Sequence, residues 1–214
     1  MLAVVCLLGL VALVLLTEFL GKQKLLKGEY KRKFLHITAG SFIAFWPWLV
    51  GWGELQILSL IVLAIVLTNH YKKFWNYNRS KGANTYGDVF MGLAVVTTSF
   101  VAHNKTFFTL AILLVALADG LAAISGITYG KNWDYKVFGN KKTVIGSMVF
   151  WLVTACIFGG GLLTAHELFT LQDYYLMLLL LPPLFTLVEN ISGFGLDNLA
   201  LPLLAVVILR LTQF

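Results

Sequence analysis

Apolar runs close to the length of a bilayer crossing recur along this chain, with little polar sequence between them. They occupy residues 2–20, 34–50, 52–69, 86–102, 106–129, 144–165, 171–188 and 196–212. A helix needs roughly 20 apolar residues to cross a hydrocarbon core about 30 Å thick. The runs are continuously apolar rather than alternating, and backbone groups in lipid must bond within their own segment, so helices are expected rather than strands. Only 12% of the residues are charged, and the mean hydropathy is +0.83. Soluble domains run nearer about 25% charged, and no polar stretch here is long enough to build one. The expected fold class is an all-α integral membrane protein of about eight transmembrane helices (roughly seven to nine). It forms a single membrane domain over 1–214 with no soluble domain.

The first run has no basic residues before it and no small-residue cleavage pattern, which reads as a retained span rather than a removed signal peptide. Cys6 and Cys156 both lie in apolar runs and read as small buried hydrophobes. His36, His70, His103 and His166 are scattered without metal-ligand spacing. No nucleic-acid interface is expected.

The basic residues are distributed unevenly. Lys22, Lys24, Lys27, Lys31, Arg32 and Lys33 follow the first run; Lys72, Lys73, Arg79 and Lys81 follow the third; Lys131, Lys136, Lys141 and Lys142 follow the fifth. Only Lys105 and Arg210 fall elsewhere. With eight spans all three basic loops share one side, which the positive-inside rule assigns to the cytoplasm. The connection after the seventh run, ENISGFGLDN, falls on that side too and carries Glu189, Asn190, Asp197 and Asn198. One face therefore collects three basic loops and one acidic, amide-bearing loop, a combination suited to a nucleotide and its metal.

Asp119 lies inside the fifth run, in LLVALADGLAAISGITYG. A carboxylate in the hydrocarbon layer costs about 2.5–3.5 kcal/mol on insertion scales and marks a functional or paired site. Ala122, Ala123, Gly126 and Gly130 follow at helical spacing on the same face. Such a stripe allows close helix packing or leaves room for a ligand. Eleven residues separate Asp119 from Gly130, roughly 16 Å of helix. A phosphate held by the following loop meets the acid only if a vestibule dips inward or the helix breaks near Gly126. Arg32, Lys33 and His36 share a helical face at the entry to the second run, where basic residues also serve to pair anionic lipids. Asp88 reads as a charge near a helix N-terminus, and Pro182–Pro183 as a bend in the seventh run.

The interval 130–147, GKNWDYKVFGNKKTVIGS, is expected to be a cytoplasmic nucleotide-binding loop and helix start. It contains no P-loop signature. Gly139 and Asn140 permit a tight turn, Lys141 and Lys142 supply cations, and Thr143 and Ser147 supply hydroxyls. Gly146 lies at a helix start, where backbone amides favour anions.

The succession KRKFLHI, TYGDVFMGLAV, ADGLAAISGITYGK, GNKKTVIGS and VENISGFGLDNLALPL resembles the polyprenol kinase family, which includes dolichol kinases, phytol kinases and CTP-dependent diacylglycerol kinases. The resemblance covers residues 31 to about 204. It implies a multi-span enzyme that moves the γ-phosphoryl of a nucleotide, typically CTP, to a lipid alcohol with Mg²⁺. The family's basic pair falls on Arg32 and Lys33 and its intramembrane acid on Asp119. Its nucleotide elements fall on Gly126, Gly130, Lys131, Lys142, Thr143, Gly146 and Ser147, and its late acidic motif on Glu189, Asp197 and Asn198. The family often carries Glu where Ile145 stands here, so any metal-binding role of that Glu passes to Asp119, Glu189 or Asp197.

Phosphoryl transfer asks for positioning, metal bridging and charge neutralisation. Lys142, Arg32 and Lys33 are candidates to neutralise the triphosphate. Asp119 and Asp197 are candidate Mg²⁺ ligands, since hard cations take carboxylate oxygens; one of them, or His36, is the candidate base for the lipid hydroxyl. A cytidylyltransferase that forms a CDP-lipid would use the same groups but release pyrophosphate. A small transporter would use Asp119 as an ion relay, yet the far ends of the runs are nearly bare of polar groups. The acceptor is an isoprenoid alcohol or diacylglycerol, with the short chain favouring the former. Residue types say nothing of the oligomeric state.

Overall fold

The computed structural model describes residues 1–72 and 86–212. Lys73, Arg79 and Lys81 of the second basic loop lie outside them. The helices are α1 (Leu2–Lys22), α2 (Gly28–Ala44), α3 (Trp52–Lys72), α4 (Gly87–Val101), α5 (Lys105–Leu113), α6 (Gly120–Tyr129), α7 (Val144–Thr164), α8 (Leu171–Ile191) and α9 (Asp197–Leu211). A π-helical turn, Leu114–Asp119, joins α5 to α6, and the three segments run as one rod, Lys105–Tyr129. Among the described residues this makes eight rods, at nearly the positions of the eight apolar runs.

Five of them are long and apolar enough to cross a membrane: α1, α3, the Lys105–Tyr129 rod, α7 and α8. With the paucity of charge this makes the chain an integral membrane protein. The remaining three are shorter. α2 has 17 residues, α4 has 15 and α9 has 15, so the last two reach only about 22 Å at 1.5 Å per residue. The run expected over 34–50 is also displaced. α2 starts at Gly28, and its first two turns carry Glu29, Lys31, Arg32 and Lys33. It stops at Ala44, where Pro47 turns the chain into a short 3₁₀ segment, Trp46–Trp48.

The Lys105–Tyr129 rod is the most buried of the five and forms the centre of the bundle. Asn104 caps it by accepting from the Thr106 N–H at 2.8 Å, and Thr170 with Asp173 forms a capping box at the start of α8. Such caps satisfy amides that have no partner within the helix. Phe107 and Phe108 on the rod, and Phe150, Phe158 and Phe185 on α7 and α8, are fully buried. α2 lies close against its π turn, since a Cβ on Gly40 would sit 2.7 Å from the Ala116 Cβ. Cys6 is buried as expected, but Cys156 is exposed on the outer face of α7, because that helix turns this side away from α8 and the central rod. α8 continues through Pro182 and Pro183, and the Thr186 hydroxyl donates to the Pro182 carbonyl at 2.7 Å.

The connection between α6 and α7 is not a simple loop. It contains a two-stranded antiparallel hairpin, β1 (Asp134–Val137) with β2 (Asn140–Thr143), in the register Asp134↔Thr143 to Val137↔Asn140. Phe138 and Gly139 form the turn with φ of 46° and 83°, the pattern of a type I′ hairpin. The tight turn therefore falls one residue before the expected Gly139–Asn140 pair. Asn140 opens β2 instead, because the strand twist requires positive φ at both residues of the reversal.

Candidate active site

At one end of the bundle the starts of α2, α4, α7 and α9 meet the ends of α6 and α8 around a cavity of about 510 Å³. That size suits a small-molecule site. Its wall includes Arg32 and Lys33 from α2, Asp119, Gly126 and Gly130 from the central rod and its end, and Lys131, Lys142 and Thr143 from the hairpin. Gly146 and Ser147 come from α7, Glu189 from α8, and Asp197 and Asn198 from α9. Of the site residues expected from sequence, only His36 is missing from the wall.

The carboxylates gather in the floor. Asp119, Glu189 and Asp197 each offer an oxygen, and these atoms lie within 4.8 Å of one another. Two of the three acids are held by lysines. Lys33 Nζ donates to Asp119 Oδ2 at 2.5 Å, and Lys142 donates to Glu189 Oε1 and, at 2.9 Å, to the Glu189 carbonyl. Among the described residues, each pair engages only one oxygen of its acid. Asp197 makes no ion pair among the described residues; its Oδ1 accepts the Asn198 N–H at 3.0 Å. Asn198 is buried and its Nδ2 donates to the Gly87 carbonyl at 3.3 Å, but its Oδ1 has no partner among the described residues. Buried polar atoms are nearly always bonded, so an orphaned amide oxygen beside three clustered carboxylates fits a hard divalent cation, which takes oxygen ligands of these types.

Cations dominate the rest of the wall. Arg32, Lys33, Lys131, Lys141 and Lys142 line the cavity against the three acids, a surplus of positive charge for an anionic ligand. Arg32 pairs with Glu29 at 2.8 Å. Asp88 sits in the first turn of α4.

The central rod does not break near Gly126. It widens about two turns earlier, in the π segment that ends on Asp119, and π turns often occur at functional sites. His36, whose side chain is largely buried, bonds to this turn. Its Nε2 lies 3.1 Å from the Val115 carbonyl and 3.6 Å from Asp119 Oδ2. It lies beside the acid and does not line the cavity. The vestibule dips inward along the stripe of small residues, so Asp119 and Gly130 share one cavity despite their separation along the helix. The stripe also serves packing: a Cβ on Gly126 would lie 2.6 Å from the Thr143 Oγ1.

The start of α7 is less open to an anion than its sequence indicates. The Thr143 hydroxyl caps the helix by accepting the Gly146 N–H at 3.0 Å, and the Val144 N–H donates to the Trp133 carbonyl at 2.9 Å. Two of the first amides and one hydroxyl are thus already bonded. Ile145 does not face the acids. It lines a separate apolar groove outside α7 and α8, so its place in the chain leaves the acid cluster intact.

Some wall residues carried no sequence signal of their own. Gly87 and the 192–195 turn also line the cavity, the turn lying directly against Asn140 of the hairpin at Gly193. Gly195 has a φ of 86°, and a Cβ there would lie 2.7 Å from the Gly87 Cα. The two backbones meet directly, and the glycine in GFG and the Gly87–Asp88 step were the available hints. Tyr135, bonded to Asn190 and Ser147 outside that wall, had none, whereas Asn190 stood out in the amide-bearing loop after the seventh run.

A phytol kinase of Synechocystis sp. is 29% identical to this chain over 201 residues, which cover 90% of this chain and 83% of that protein. No protein-family model matches the chain, and no solved structure matches it.

Proposed function

We propose that the chain is a lipid alcohol kinase of the polyprenol and phytol kinase type, a reading that its 29% identity to a phytol kinase supports. It transfers the γ-phosphoryl of a nucleoside triphosphate, CTP in the first instance, to the hydroxyl of an isoprenoid alcohol. The observation that carries this reading is the convergence of three carboxylates and five cations in one cavity at the end of a membrane bundle. Eight spans, with the cavity facing the cytoplasm, agree with the clustering of basic residues at this end.

The donor set suits Mg²⁺, with Asp119, Glu189 and the orphaned Asn198 Oδ1 as its ligands. When bound, such an ion neutralises charge on the transferred phosphoryl group. Arg32, Lys131 and Lys142 face the triphosphate and lower the cost of bringing its charge beside the acids. Lys33 and His36 fix Asp119 in place. Asp197, the acid without an ion pair among the described residues, accepts the proton from the lipid hydroxyl. As that proton leaves, the alcohol oxygen bonds to the γ-phosphorus and the bond to the β–γ bridging oxygen breaks. The products are a nucleoside diphosphate and a lipid monophosphate.

The test is a labelled-nucleotide assay on the purified chain in detergent, with a panel of lipid alcohols and all four nucleoside triphosphates. Lipid monophosphate with nucleoside diphosphate is the expected pair. CDP-lipid with pyrophosphate would replace the kinase by a cytidylyltransferase. Full turnover by both Asp119→Asn and Lys142→Ala would place the chemistry elsewhere.

A further inference from the structure

A second, larger recess of about 920 Å³ lies on the outer face of α7 and α8. Its long wall is apolar, with Ile145, Met148, Trp151, Leu152, Pro183 and Leu187. Met148, Trp151, Leu152 and Leu187 are exposed, so the recess opens sideways toward the hydrocarbon of the bilayer. Only one end is polar. There the Tyr135 hydroxyl donates to Asn190 Oδ1 and lies 2.6 Å from Ser147 Oγ, which donates to the same Oδ1 at 3.1 Å. Asn190 Nδ2 in turn donates to the Thr186 carbonyl at 2.8 Å.

That polar end is where the recess meets the active-site cavity, because Ser147 lines both. From Val144 to Leu152 the groove follows α7 for roughly 12 Å at 1.5 Å per residue, leading away from the polar end into the apolar part of the bundle. A molecule with one hydroxyl and a long hydrocarbon tail has this same distribution of polarity. Bulk lipid would cover the apolar wall equally well, but its charged headgroup has no reason to sit at a neutral hydroxyl–amide cluster.

We propose that the groove between α7 and α8 holds the hydrocarbon tail of the acceptor alcohol, with the hydroxyl end passing Ser147 into the polar cavity. This assigns substrate entry to the bilayer side and nucleotide entry to the aqueous mouth, so the two substrates approach from opposite sides of the first turn of α7. Tail selectivity then belongs to Met148, Trp151, Leu152 and Leu187 rather than to the acids.

The proposal rests on the kinase reading, and two measurements keep them apart. In the first, the full chain in liposomes is irradiated with a phytol analogue bearing a diazirine on its tail, beside a diazirine-tailed alkane without the hydroxyl. Adducts of the alcohol concentrated on Met148, Trp151, Leu152 and Leu187, with those of the alkane spread over the outer helices, are expected. Equal spreading of both probes overturns the groove. In the second, Met148→Trp and Leu187→Trp fill the recess. The KM for phytol is expected to rise roughly tenfold or more, with a smaller rise for geraniol and an unchanged KM for the nucleotide. An unchanged KM for phytol overturns the assignment. Absence of turnover by the wild type with every alcohol sinks the kinase reading instead, and cross-linking then decides the groove alone.

Discussion

Lys33 reaches Asp119 across 86 positions of sequence, placing its Nζ 2.5 Å from Oδ2, and the two side chains are only 6% and 9% exposed. A buried pair of this kind is costly to break from one side, because the remaining charge stays desolvated. Lys33→Met is therefore expected to lower stability by about 3–5 kcal/mol, read as thermal unfolding in detergent. Lys33→Met/Asp119→Leu should recover much of that loss while remaining without turnover. A double variant no more stable than the single one would show that the pair contributes little.

His36 acts through Asp119 and the π turn. His36→Phe keeps the ring volume but removes the contact to Val115 and the neighbour of the acid. Turnover is expected to fall about 10–100-fold, the usual range for groups that orient metal ligands, with partial recovery as Mg²⁺ is raised. A drop that does not depend on Mg²⁺ would separate His36 from the metal.

Asp197 and the other two acids differ in their predicted roles. Asp119→Asn and Glu189→Gln are expected to raise the Mg²⁺ concentration needed for half-maximal turnover. Asp197→Asn is expected to lower the rate by about 10²–10⁴-fold, as for loss of a general base, with that Mg²⁺ requirement little changed. Chelation of divalent ions should stop the wild type, and readdition of Mg²⁺ should restore it. The reverse pattern among the three variants would exchange the base and ligand assignments.

Gly126 and Gly160 offer a contrast in packing. A Cβ on Gly126 meets Thr143 Oγ1 at 2.6 Å, whereas one on Gly160 meets nothing within 4 Å. Gly126→Ala is expected to cost about 1–3 kcal/mol through overpacking against the α7 cap. Gly160→Ala should be neutral or stabilising by up to about 1 kcal/mol, from helix propensity. Equal melting temperatures would remove the close approach of α6 and α7 from the account.

Phe138 holds a φ of 46° in the hairpin turn and is 86% exposed. Left-handed backbone costs a non-glycine residue roughly 1–2 kcal/mol, and Asn tolerates it better. Phe138→Asn, which creates the favoured Asn-Gly turn, is expected to raise stability by about 1 kcal/mol. A lower melting temperature would mean that the Phe138 ring contributes a contact that outweighs its backbone cost.

Much of this architecture was legible in the chain. Eight apolar runs became eight rods among the described residues, and thirteen of the fourteen expected site residues line one cavity. Those features depend on local properties: hydrocarbon selects length and apolarity segment by segment, and basic loops resist translocation. The hairpin was not legible, because each strand has only four residues and β2, NKKT, carries no alternation. Neither was the brevity of α2, α4 and α9, since hydropathy does not mark where a helix stops.

The sequence by itself therefore determined the environment, the order of the rods and which charged groups had to be accommodated among apolar ones. Tertiary structure decided how those groups are used. It set the π turn that presents Asp119, paired Lys33 and Lys142 with two acids while leaving Asp197 without an ion pair among the described residues, and turned Ile145 to a groove wall rather than to the acids. Each of these outcomes depends on contacts between residues far apart in the chain, and the pairwise energies that choose among them arise only when the helices are packed.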